Sequence, residues 1–226
     1  MSDKFSNNNF DAVTPIYDAL AGLVFGGNIR RSQVALLPKL KTIDSALVIG
    51  GGTGWFLLEL LAQTDVRKVL YVELSRDMLN KSRQLVERRA PQWLHRVEFK
   101  LGSEQSITPE DGPFDLIATN FFLACFGDDN CTQMIRRLHP HMSPNGRWLF
   151  SDFQVPERGW ARLCALVLFK VMFTFFNVFS GLEARRPPNY DQGFHQVGLK
   201  PQTERRFYAR MIHVKLLSNA PQLSAA

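Results

Sequence analysis

The chain has 226 residues, 45% hydrophobic and 21% charged, with a net charge of +6. This is the size and balance of one globular domain with a sizeable core, and it excludes a chain too polar to fold around one. The mild basic excess is ordinary solubility charge, and with no arginine-rich tail or aromatic–basic interleaving, nucleic acid is not an expected partner.

Three cysteines, Cys125, Cys131 and Cys164, form no CxxC or Cys/His spacing. No metal site is therefore expected, and the sparse count fits a reducing compartment. The opening "MSDKFSNNNF" is polar and lacks the apolar core of a signal peptide, so a cytoplasmic location is the expectation.

Apolar periodicity alternates between strand and helix along the chain. Residues 11–40 read as helical, and 11–42 as an N-terminal helical cap. Residues 46–49 read as a buried strand, 55–62 as a helix and 68–73 ("KVLYVE") as a second strand. A helix follows over 77–89, with Ser75 as its N-cap. Strands are expected at 97–101 and, after the turn "PEDGP", at 115–119. A helix over 130–138 is broken by "SPNG" before a fifth strand at 147–153. Residues 159–198 read as a helical insertion, ending in a short helix near Gly198. Two strand-like runs, 204–209 and 211–217, are separated by Arg210 alone, which suits an antiparallel hairpin. The alternation predicts a single α/β domain with a mostly parallel sheet and helices on both faces.

"ALVIGGGTGWFLLELL" places four glycines between a strand and a helix. Glycine costs roughly 0.5–1 kcal/mol relative to alanine in regular structure, so the loop needs bare backbone. Such a turn lets a ligand approach the main chain at a helix N-terminus, and Gly50, Gly52 and Gly54 are expected to line it. The dinucleotide pattern GxGxxG fails from both starts: the third glycine would fall at Trp55 or at Leu57. No Gly-Lys-Ser/Thr follows, so a phosphate loop fails too. Glu73 ends the second strand, 19 residues beyond Gly54. A carboxylate there is placed to accept hydrogen bonds from both ribose hydroxyls of a nucleoside; a solvated turn residue is the bland alternative.

The runs "LVIGGGTGW", "YVELS", "LGSEQSI", "FDLIATNFFL" and "GRWLFSDF" resemble a class I S-adenosylmethionine-dependent methyltransferase over residues 11–218. "TPIYDAL" and the chain length resemble the branch with ubiquinone/menaquinone-type enzymes. The resemblance implies a Rossmann-like seven-stranded sheet closed by an antiparallel strand. It implies S-adenosyl-L-methionine as cofactor, with Gly50, Gly52 and Gly54 under its methionine and ribose. Glu73 would hold the ribose, Ser103 and Glu104 would lie near the adenine, and Asn120 near the methionine end. Two positions depart from the family pattern. Val48 stands where an acidic residue usually precedes the first glycine, and Ser103 where Asp is frequent.

By the same resemblance the N-terminal segment closes over the cofactor, so Tyr17 could face the sulfonium, an aromatic–cation contact worth about 0.5–2 kcal/mol. Plain helix packing is the other use of Tyr17. Trp55 is expected to pack on the sheet, and some rings of "FFLACF" to wall a pocket. Asp152, Tyr17 and His195 are the named candidates for a general base, needed only where the acceptor must lose a proton. A helix-side capping carboxylate is the alternative for Asp152, and a surface position is the preferred reading of His195.

Residues 160–181 are long enough to raise a membrane span. Lys170 lies mid-segment, and Arg162, Lys170, Thr174, Asn177 and Ser180 share an arc of roughly 120°. The run reads as an amphipathic helix with a broad apolar face, for core packing, a substrate roof, a second subunit or a peripheral membrane contact. The leading expectation is methyl transfer to a small, apolar or aromatic acceptor. The rivals are an NAD(P)-dependent oxidoreductase and a non-catalytic cofactor-binding or membrane-associated module. Oligomeric state stays open.

Overall fold

A computed structural model describes residues 25–40, 42–180 and 183–219. Its sheet has seven strands: β1 (Ser45–Ile49), β2 (Lys68–Glu73), β3 (Val97–Leu101), β4 (Phe114–Asn120), β5 (Met142–Phe153), β6 (Leu199–Phe207) and β7 (Ile212–Asn219). The order is β3-β2-β1-β4-β5-β7-β6. β1 to β5 pair in parallel, and β7 runs antiparallel between β5 and β6. The Rossmann-like class and the antiparallel C-terminal hairpin follow the expectation.

Six α-helices are described: α1 (Asn28–Val34), α2 (Trp55–Gln63), α3 (Arg76–Arg89), α4 (Asp128–Leu138), α5 (Trp160–Ser180) and α6 (Tyr190–Gln196). Strand alternation explains how both faces fill. Ala46 and Val48 of β1 enter one core with Phe56, Leu57 and Leu60 of α2. Leu47 and Ile49 enter the other with Met134 and Ile135 of α4 and Phe194 of α6. A third cluster sits beyond the carboxyl ends of the strands. There Phe25, Phe153 and Ile212 meet Ala165, Phe169, Met172 and Phe173 of α5. Ser75 caps α3 as expected, its hydroxyl accepting from the Met78 amide at 3.1 Å.

Several expected boundaries move. The run expected as one helix to residue 40 is interrupted at Gly26, which is left-handed, and Gly27, which caps α1. The part over 11–24, with Tyr17, lies outside the described residues. β5 begins at Met142 rather than at 147, because Met142 pairs with Phe114 before a register shift carries the chain past "SPNG". β6 begins at Leu199 rather than at 204 and contains Pro201. Proline is tolerated because β6 is the edge strand, where a missing donor leaves no ladder bond unmade. The hairpin turn is longer than Arg210 alone: Tyr208, Ala209 and Arg210 all take positive φ.

Candidate active site

The strand order turns about between the parallel neighbours β1 and β4, and in open α/β sheets such a switch point leaves a cleft beyond the carboxyl ends of the strands. The glycine loop lies there. Its first amide, of Gly50, donates to the Val72 carbonyl at 2.9 Å and ties the loop to β2. Gly50, Gly52 and Gly54 are left-handed, with φ of 63°, 65° and 89°.

The four glycines have different neighbours. A Cβ on Gly50 would stand 2.3 Å from the Phe122 ring, and one on Gly51 equally close to the Tyr71 ring. A Cβ on Gly54 would meet Ser82 Cα of α3 at 2.9 Å. Only at Gly52, among these four, does a Cβ meet nothing within 4 Å. Gly54 thus serves the approach of α2 to α3, Gly50 makes room for Phe122, and Gly52 presents bare backbone to open space.

Glu73 sits beside that backbone. Its Oε2 accepts from the Gly52 amide at 2.8 Å and its Oε1 from the Ser75 amide at 2.9 Å. Tyr71, two residues earlier on the same face of β2, donates its hydroxyl to the Gly52 carbonyl at 2.9 Å. Burial, then the neighbouring Glu73 charge, pushes the Tyr71 phenol up, so it stays a donor. Leu74 follows Glu73, and Leu101 is its ladder partner on β3; both are exposed. Two apolar side chains therefore flank the carboxylate at the open rim.

Across the cleft, β4 ends at Asn120. Both polar atoms of its side-chain amide are buried and without a hydrogen-bond partner. An orphaned buried polar group costs about 1–3 kcal/mol. Phe121 follows with φ 53°, costly for a bulky residue, and its amide donates to the Ser151 carbonyl at 2.7 Å. The twist sends Phe121 against Phe153, rings 4.8 Å apart, while Phe122 lies over Gly50 and against Phe126.

Asp152 is fully buried below this turn. Its Oδ2 accepts from the Ala124 amide at 3.0 Å and its Oδ1 from the Phe153 amide at 2.8 Å. Burial pushes the carboxyl up to about 7 against the pull of those amides. The Tyr190 hydroxyl lies near it, buried and without a partner at hydrogen-bond geometry. Burial, followed by the Asp152 charge, pushes Cys125 and Cys131 up to about 12, so neither thiol is ionised near neutrality. The position of Asp152 is that of a brace for the segment carrying Phe121 and Phe122.

The remaining expected residues are placed less centrally. Ser103 opens the turn after β3, its hydroxyl accepting from the Gln105 amide. Glu104 is held by Arg137 of α4 at 2.6 Å. His195 is exposed on α6, whose buried side carries Tyr190 and Phe194, so the structure does not bring it into the cluster. Trp55 packs on the α2 side of the core as expected, with the Arg30 guanidinium 5.2 Å from its ring centre. Among the described residues no group of His, Cys, Asp or Glu is arranged to hold a metal. Sequence reasoning missed Tyr71 and Tyr190. Tyr71 was legible as the inward residue two before Glu73; nothing local marks Tyr190.

Residues 46–146 match the profile of a family described as a methyltransferase domain. The match holds the glycine loop, Glu73, Ser103, Glu104 and Asn120. No curated protein matches the sequence. Among solved structures, the mitomycin 7-O-methyltransferase superimposes with a TM-score of 0.69 at 19% identity, covering 97% of this chain and 62% of that one. A 1,6-didemethyltoxoflavin-N1-methyltransferase from Burkholderia thailandensis, with bound 1,6-didemethyltoxoflavin and S-adenosylhomocysteine, gives 0.63 at 17% identity, covering 93% and 85%. A structure described as a pericyclic reaction enzyme gives 0.60 at 16%, covering 79% and 44%. The fold is that of the class I S-adenosylmethionine-dependent methyltransferases. The chain spans about three fifths of the first of these neighbours, and the last shows that this fold carries other chemistry.

Proposed function

We propose that this protein is an S-adenosylmethionine-dependent methyltransferase acting on a small acceptor, apolar or aromatic in character. The observation that carries the reading is the Gly52 peptide. It is left-handed and open on one side, and Glu73 and Tyr71 grip it from the other. A carboxylate has about four acceptor positions, so Glu73 can take a ribose diol beside its amide bonds or in exchange for them. Leu74 and Leu101 offer an apolar rest for a purine ring, with Ser103 and Glu104 in the next turn. Asn120 supplies buried amide donors and acceptors for an amino-acid head group.

The cofactor supplies a methyl group on a sulfonium, a leaving group that is already activated. The chain's work is alignment and exclusion of water. Phe122 and Gly50 close the floor of the cleft, and Phe121 and Phe153 form an aromatic wall toward α5. That wall supports an apolar or aromatic acceptor, as do the small-molecule substrates named for the neighbours. Asp152 positions the wall through its amide bonds. The three free cysteines support the expected cytoplasmic setting.

The reading is tested by calorimetric titration with S-adenosylmethionine and, separately, NADH. Binding of the first and not the second supports it, since the dinucleotide glycine pattern is broken at Trp55. Binding of NADH alone overturns it in favour of an oxidoreductase.

A further inference from the structure

The outward side of α5 is unlike the rest of the surface. Trp160, Leu163, Val167 and Val171 are between 63% and 71% exposed, and Leu166 is 44% exposed. At 100° per residue the first four fall on one stripe, three or four positions apart. The stripe lies opposite Ala165, Phe169, Met172 and Phe173, which fill the third core cluster. Lys170 and Thr174 lie along one edge of the stripe, while Arg162 falls toward the core side and donates to the Pro156 carbonyl. The helix is long and apolar enough to cross a membrane by length and composition. Its inner residues belong to the domain core and Lys170 sits mid-length, so it can lie on a bilayer but not through it.

Charge selects the occupant. Between residues 157 and 186 the basic residues are Arg158, Arg162, Lys170, Arg185 and Arg186, against the acidic Glu157 and Glu183. Stable protein interfaces take about 20–30 residues a side, far more than these five apolar side chains offer. An interfacial helix needs only a row of apolar side chains, cations beside it, and an aromatic residue at headgroup depth. Trp160 begins the row, and the stem of Lys170 can lie along it with its charge in the headgroups, while Arg158 precedes the helix beside Trp160.

We propose that α5 docks this protein on an anionic lipid bilayer, its Trp160–Leu163–Val167–Val171 stripe entering the headgroup boundary. The inner side of the same helix shares its core cluster with Phe121, Phe153 and Ala124, so a docked α5 lies between the aromatic wall of the site and the lipid. The docking needs no bound cofactor, and it stands or falls apart from the methyltransferase reading.

The test is flotation of the full chain with vesicles of phosphatidylcholine alone or mixed with phosphatidylglycerol. The expected result is flotation with the anionic vesicles and at least tenfold weaker association with the neutral ones. V167E/V171E, outward-facing and melting as the wild type does, abolishes flotation; R158Q/K170Q weakens it on anionic vesicles alone. A blue shift of tryptophan emission on vesicles, absent from W160F, places the start of the helix in the headgroups. Wild-type chain that stays with the aqueous fraction overturns the proposal. So does flotation unaffected by V167E/V171E, or a dimer in solution that V167E/V171E splits while no vesicle is bound.

Discussion

Glu73 accepts a hydrogen bond from the amide of Gly52 at 2.8 Å, joining the end of β2 to the one loop glycine that faces open space. The other end of that residue, its carbonyl, is held by Tyr71 at 2.9 Å. A left-handed residue in a surface loop would otherwise be free to move, and here two side chains of one strand fix it. Preorganisation of this kind lowers the ordering cost of binding.

The glycines are predicted to separate by substitution. Gly52→Ala meets no atom but must hold a left-handed backbone, at a cost of about 1–2 kcal/mol. Gly54→Ala adds a clash with the backbone of Ser82, at about 1–3 kcal/mol more. At about 2–4 °C per kcal/mol for a chain of this size, thermal melting should rank wild type above G52A and G52A above G54A. The order reverses for ligand binding relative to stability: G52A loses more affinity per degree lost, because its methyl group stands where the ligand would pass.

Asn120 is predicted to be held at a cost to stability. Asn120→Leu replaces an amide with both polar atoms buried and unpartnered by an apolar group of similar size. Relief of about 1–3 kcal/mol in desolvation is expected, so the variant should melt at or above the wild type while binding S-adenosylhomocysteine more weakly. A large loss of stability in N120L would mean that the amide has a structural partner.

Asp152 and its cross-strand partner His213 are predicted to give opposing pH dependences. The Asp152 carboxyl is pushed up to about 7 by burial. The folded state therefore binds the extra proton, and the stability this contributes is present below the usual carboxylate range and lost as pH rises to 7. Burial lowers His213 to about 4 against the opposing charge of Glu204, with Arg206 and Lys215 adding to the lowering. Its contribution is present above pH 6.5 and lost as pH falls through 4. In urea titrations from pH 4 to 7 the wild type should show partial cancellation. D152N should become more stable with rising pH, and H213Q less stable. D152N should also carry a constant penalty, because an amide cannot accept from both the Ala124 and Phe153 amides through two oxygens.

The parallel sheet was legible because 46–49 and 68–73 are short apolar runs beside a glycine turn and a capped helix. Glu73 was legible because its place at the end of β2, beside the glycine loop, follows from spacing along the chain. Phe122 above Gly50, and Tyr190 beside Asp152, were not. Both depend on elements distant in sequence coming within a ring's width of each other, which no local period encodes. Pro201 hid the start of β6 because proline reads as a break unless the strand is known to be an edge. The stripe on α5 was legible as excess apolar width, but its outward direction became visible only when Ala165, Phe169 and Phe173 were seen to fill the core.

Whether Glu73 holds the cofactor is tested by calorimetric titration of S-adenosylhomocysteine into the wild type and into Glu73→Ala, with melting curves to confirm both are folded. Binding to the wild type and at least a tenfold loss, about 1.4 kcal/mol, in the variant are expected. Equal affinity in both, or none in the folded wild type, would contradict that role.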